Sequence, residues 1–176
     1  VLTFPTAGSY DVEIIGNFPK IFFNNTGDKD KITSVNEWGS YGIGNTNQVF
    51  AFDGCSNLVS IADDVNNINL VVNGRNMFNG CGLTTLPSDF ILDNLIGGEG
   101  MFEGCGLTSL PTEMALPLLT DGSSMFKDCS LTSLPSGMTL DSLITAGDMF
   151  NANLFTSLPS GMTLNNLTIG QTMFTN

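Results

Sequence analysis

The sequence predicts a solenoid, a stack of short coils of near-constant length, behind a β-rich amino-terminal cap. Three observations carry that expectation. Met77-Phe78, Met101-Phe102, Met125-Phe126, Met149-Phe150 and Met173-Phe174 recur at one constant interval, a period of two dozen positions. Six further columns of apolar residues keep the same register, among them Leu83, Leu107, Leu131 and Phe155, then Leu86, Leu110, Leu134 and Leu158. The composition disfavours helix, because much of the chain is Asn, Thr and Ser, which compete for their own backbone and prefer turns and strands. A unit of this size cannot bury its apolar residues alone, and stacking turns each column into a continuous ladder.

Residues 1–48 lack the repeat and form the predicted β-rich capping segment. Tyr10, Val12 and Ile14 alternate with Asp11 and Glu13, Ile21-Phe22-Phe23 follows, and Asn24-Asn25-Thr26-Gly27-Asp28 reads as a turn. This pattern predicts two or three antiparallel strands. The open end of a first coil needs covering, and Phe4 and Trp38 have the bulk to do it.

Residues 49–176 are the predicted solenoid, and the array is expected to continue beyond Asn176. Its first, divergent copy is Ala51-Phe52-Asp53-Gly54-Cys55, set slightly further from the next copy than the later copies are from one another. In each coil the Leu-Thr-Ser-Leu segment, residues 83–86 and their equivalents, predicts one very short parallel strand. The proline at 87, 111, 135 or 159 ends it, having no amide hydrogen to give. The Met-x-Leu-x-x-Leu spacing that follows fits a short helical turn or 3₁₀ piece. Glycines 98, 122 and 170 suit the corner into the next coil. All eight methionines fall in the repeats, where an adaptable unbranched side chain fills an interior column. At strand spacing each coil rises about 4.8 Å.

Phe-x-Gly-Cys-x-Leu followed by Thr-Ser-Leu-Pro, over residues 50–176, resembles the BspA-type leucine-rich repeats. The resemblance implies a right-handed, leucine-rich-repeat-like solenoid, in a secreted or cell-surface protein that binds host or neighbouring-cell components. The LPSGMTL-rich coils are also similar to arrays in phage tail fibres and other appendages. The chain departs from the pattern at Asn153, where a fourth in-register cysteine is expected, and at Phe155. No functional residue transfers, since the motif is structural.

Charge and chemistry narrow the function. Seventeen acidic residues against five basic ones give a net charge of −12. The cations Lys20, Lys29, Lys31, Arg75 and Lys127 are scattered, so nucleic acid is not an expected partner. No apolar run approaches the roughly 20 residues that span a bilayer, and membrane insertion is not expected. With no histidine in the chain, the commonest general base and every Ser-His or Cys-His pair are missing; the expectation is a protein that is not an enzyme. Cys55, Cys81, Cys105 and Cys129 share one inward column, which reads as a ladder of buried thiols rather than disulfides or a zinc site. No cofactor and no metal are expected, and Asp63-Asp64 and Asp28-Lys29-Asp30 read as solvated turns.

Thr85, Ser109, Ser133 and Ser157 flank the inward leucines as a column of small exposed hydroxyls, the candidate ligand-binding face. Such a surface can hydrogen-bond glycans or pack on a protein, and it can equally be inert scaffold. Asn79, Glu103, Lys127 and Asn151 form a second, variable column at the outer corner. The expected function is a non-catalytic adhesion or recognition module, extracellular or at a cell surface, that presents a rigid repeat surface to a protein or glycan. The alternative is a structural or receptor-binding domain of a virion fibre, decoration or appendage protein. Leu158, Leu164 and Leu167 in the last coil predict an apolar end covered by further repeats or another subunit.

Overall fold

The computed structural model describes residues 4–175. The first three residues of the expected 1–48 segment, and Asn176 at the end of the expected solenoid, lie outside them.

The chain returns to the same place once per repeat. Single-residue parallel bridges join Asn47 to Asn73, Asn73 to Gly97, Gly97 to Asp121, Asp121 to Thr145 and Thr145 to Ile169. Immediately before each bridge stands a β-branched residue (Thr46, Val72, Ile96, Thr120, Ile144) whose carbonyl accepts two N–H groups from the next coil, as Val72 accepts from Ile96 and Gly97.

Four more bonds per coil follow at alternate residues. The N–H groups of Gly74, Asn76, Phe78 and Gly80 donate to the carbonyls of Gly97, Glu99, Met101 and Glu103, and the same four rows repeat in the coils that begin at Gly98 and Gly122. The intervening peptides close tight turns, Met77 N–H to Gly74 and Cys81 N–H to Phe78. This geometry needs a left-handed residue at fixed phase. Asn76, Gly100, Ser124, Asp148 and Thr172 supply it, with φ between 50° and 59°, in a region that costs any residue with a Cβ.

The interior is a set of ladders. Phe52, Phe78, Phe102, Phe126, Phe150 and Phe174 stack with centroids 5.3–5.6 Å apart and ring planes within 12° of parallel. Offset-stacked rings at this separation add attraction to their area burial. Around them the Met, Leu and Cys columns are buried in the middle coils, from Met101 to Leu143, where Leu110 is 8% exposed; Leu86, Met162, Leu164 and Leu167 are partly buried and Leu158 is exposed.

One expectation of the repeat is corrected. Residues 83–86 and their equivalents form no strand, and the cross-coil ladder runs through the Met-Phe-x-Gly corner instead. Leu83 and Leu107 both face inward, but Thr84-Thr85 and Thr108-Ser109 both face out, so the segment lacks the strict alternation of a strand. The predicted helical piece is a single turn closed by Leu95 N–H on the Leu92 carbonyl, and likewise in the following coils.

The amino-terminal segment also differs. Among the described residues it holds no antiparallel pair: β1 (Ser34–Val35) pairs in parallel with β2 (Ser60–Ile61). Val12 and Ile14 are 57% and 54% exposed, because no apolar surface lies beneath the alternating stretch. Phe4 stacks on Tyr10 at 4.4 Å, away from the core. From Phe18 on, the chain winds as one more coil. Phe23 and Asn25 donate to the carbonyls of Ala51 and Asp53, as Phe52 and Gly54 do to Met77 and Asn79. Trp38 and Tyr41 are buried against Phe52, at 5.8 and 6.0 Å. Short 3₁₀ turns at Lys29–Lys31 and Ile68–Leu70 complete the elements.

Candidate functional site

Each Leu-Thr-Ser-Leu segment passes over the leucine columns, with Leu107 and Leu131 fully buried. Proline then starts a turn, its carbonyl accepting the N–H of the apolar residue three positions on: Pro111 from Met114, Pro135 from Met138. The inward leucine and the proline turn thus fix both ends of a short bridge. Thr85, Ser109, Ser133 and Ser157 sit on it, all exposed, one per coil. Among the described residues none of their hydroxyls enters a side-chain hydrogen bond within the chain.

A second column, not read from the sequence, lies beside them. Thr84, Thr108, Thr132 and Thr156 are exposed as well, so the face carries two adjacent hydroxyls per coil rather than one. The signal in the sequence is the Thr-Thr or Thr-Ser dipeptide at constant phase. The eight residues of the two columns are all uncharged. At its carboxy-terminal edge Thr156 and Ser157 border a shallow hollow with Phe155, Leu158 and Phe174.

The variable corner column is occupied with itself. Lys127 Nζ lies 3.3 Å from Glu103 Oε1, and Asn79 Nδ2 donates to Glu103 Oε2 at 3.4 Å. The hydrogen bond to Glu103 and the charge of that carboxylate hold the Lys127 ammonium above its ordinary pKa. Asn151 donates to Asp148 at 3.1 Å. Arg75 pairs with Glu99 at 3.1 Å, again one coil apart. Exposed pairs of this kind contribute little stability but fix side-chain positions.

The acidic pairs are engaged in structure. Asp64 accepts the backbone N–H groups of Trp38 and Gly39, fixing the coil that covers Phe52. Asp28 pairs with Lys31, and Asp30 with Lys29 and Ser56. Among the described residues no three His, Cys, Asp or Glu side chains converge as metal ligands would.

All four cysteines are free and buried. The thiols of Cys81, Cys105 and Cys129 donate to the carbonyls of Phe52, Phe78 and Phe102 at 3.1–3.3 Å. Burial pushes the Cys55 and Cys129 thiols up to about 12, and Cys81 and Cys105 higher still. A thiol so protonated is a poor nucleophile. Comparison of the chain with protein-family models, with curated proteins and with solved structures finds no match, and no family is assigned.

Proposed function

We propose that the stack is a leucine-rich-repeat-like, right-handed solenoid of the BspA type, and that it serves as a non-catalytic adhesion or recognition module outside the cell or at its surface. The observation that carries this reading is the double hydroxyl column, Thr84/Thr85, Thr108/Ser109, Thr132/Ser133 and Thr156/Ser157, exposed on four consecutive coils. A rigid row of small donors and acceptors offers hydrogen bonds without side-chain entropy to lose, which suits a neutral glycan or the polar face of a protein. Catalysis has little to work with, since the thiols are buried and protonated, the acids lie in turns and ion pairs, and the chain has no histidine.

The test is binding of the chain to an array of neutral and charged glycans, repeated with Ser109→Glu/Ser133→Glu and with Lys127→Gln. The reading expects neutral glycans to bind, binding to be lost in the first variant, and binding to persist in the second. Absence of binding, or binding indifferent to Ser109 and Ser133, counts against it.

A second reading, a structural domain of a virion fibre, decoration or appendage, is favoured by one separate observation. Both end coils leave apolar residues half-covered: Phe18, Ile21, Phe23, Ile32 and Val35 at one end, Phe155, Met162, Leu164, Leu167 and Phe174 at the other.

A further inference from the structure

The parallel bridges align side chains as well as hydrogen bonds. Leu70, Asn94, Leu118, Ser142 and Asn166 share one phase of the repeat, and Val72, Ile96, Thr120, Ile144 and Thr168 share the phase two residues on. Between them Val71, Leu95, Leu119 and Leu143 are buried, so the stretch alternates out, in, out. Neighbouring coils lie about 4.8 Å apart where they bridge, and the two phases meet across them: Ser142, Ile144, Asn166 and Thr168 border one shallow hollow.

The fold does not require apolar side chains at either phase. Asn94, Ser142 and Asn166 donate to the carbonyls of Asn69, Pro117 and Asp141 in the preceding coil. Thr120 and Thr168 donate in the same way to the carbonyls of Ile96 and Ile144. Leu70, Ile96, Leu118 and Ile144 offer no such bond and are 52%, 45%, 47% and 45% exposed. With the partly exposed Val72 they form an apolar band over four successive coils, about 14 Å long at that spacing. A continuous apolar band left in water is the mark of a contact surface.

The charges beside the band specify the contact. Residues 69–74, 93–98, 117–122 and 141–146 include Asp93, Asp121 and Asp141 and no Lys or Arg. Asp93 and Asp141 precede the band in their coils and Asp121 follows it, so both edges are acidic. Arg75, the next residue along, is paired with Glu99. Two copies of this chain face to face would oppose these carboxylates to one another on molecules that each carry −12. A partner with cations on both sides of an apolar row meets them favourably. About ten residues of α-helix span about 15 Å, the length of the band.

We propose that this band docks an amphipathic helix of another protein, leucine-rich along the buried stripe and lined with lysine or arginine on its flanks. The contact is independent of the hydroxyl face, which occupies another phase of each coil.

Isothermal titration calorimetry of the chain with synthetic peptides of about 15 residues, long enough for a helix, tests the proposal. One peptide carries leucine at helical spacing and lysine elsewhere; its controls replace lysine by glutamate, or leucine by glutamine. Only the leucine-lysine peptide should bind, and severalfold more weakly in about 0.5 M salt than in about 0.05 M. Ile96→Thr/Leu118→Asn/Ile144→Thr installs residue types that the same phases carry in other coils, so it removes the band and keeps the fold. It should weaken binding about tenfold or more. Asp93→Asn/Asp121→Asn/Asp141→Asn, likewise borrowed from Asn69, Asn73 and Asn165, should weaken binding and remove most of its salt dependence. No binding by the leucine-lysine peptide overturns the proposal, as does equal binding by either control. An apolar-band variant that binds as the parent does overturns it too. So does a parent chain that dimerises in sedimentation velocity while that variant stays monomeric, which would give the band to a second copy.

Discussion

The side-chain amide of Asn153 donates to the Phe126 carbonyl at 2.7 Å, the bond that the Cys129 thiol makes to the Phe102 carbonyl one coil earlier. Asn153 is 1% exposed, and its oxygen also accepts the Leu131 N–H at 3.0 Å. The break in the cysteine column is therefore no break in the hydrogen-bond ladder.

Asn153→Ala leaves the Leu131 N–H and the Phe126 carbonyl buried without that partner, and should cost about 2–3 kcal/mol. Asn153→Cys should lie within about 1 kcal/mol of the parent, because the neighbouring coil already shows a thiol donating to one carbonyl and facing the Leu107 N–H. Urea denaturation of the two variants checks the ordering.

Phe102 is fully buried between Phe78 and Phe126, each 5.6 Å away. Phe102→Ala should cost about 3–5 kcal/mol. Phe174→Ala, at the half-covered end of the same ladder, should cost less than half of that. Equal losses at the two positions would argue against a stack with an open end.

Gly100 and Ser124 hold the same left-handed position in successive coils, with φ +59° and +55°. Ser124→Gly relieves that strain and should raise stability by about 0.5 kcal/mol. Gly100→Ala adds it, and its Cβ would collide with Asn76 Oδ1, forcing that side chain aside; the expected loss is about 1–2 kcal/mol. Thermal unfolding should show melting temperatures moving in opposite directions.

The buried thiols make stability pH-dependent on the alkaline side. Their folded pKa is raised above the ordinary thiol value, so the folded chain holds these protons more tightly than the unfolded one. The contribution is complete below about pH 8.5. It is lost as pH rises towards about 12, where Cys55 and Cys129 ionise in the fold. Iodoacetamide should leave the native chain unlabelled at pH 8 and modify all the cysteines once it is unfolded.

The interior was legible in the sequence because burial acts on side chains, and Met101, Phe102, Cys105 and Leu107 keep constant phase. The hydrogen-bond ladder was not legible. Its left-handed turn tolerates Asn76, Gly100, Ser124, Asp148 and Thr172 alike, so no single residue type marks it, while Leu-Thr-Ser-Leu mimics a strand. The extra first coil was hidden for a similar reason. Phe22-Phe23-Asn24-Asn25 lies more than one repeat length ahead of Ala51-Phe52-Asp53-Gly54 and has neither the methionine nor the cysteine of the repeat. Of the candidate face, the column of Thr85, Ser109, Ser133 and Ser157 was read from the sequence, and the equally exposed threonines that precede each of them were not.

Residue-resolved amide hydrogen exchange tests the stacked-coil account most directly. The amides of Phe78, Phe102, Phe126 and Phe150, each bonded to the next coil, should exchange slowly. Those of Thr85, Ser109, Ser133 and Ser157, which have no acceptor among the described residues, should exchange fast, giving a protection pattern that repeats once per coil. Slow exchange in the hydroxyl segments with fast exchange at the phenylalanines would contradict it.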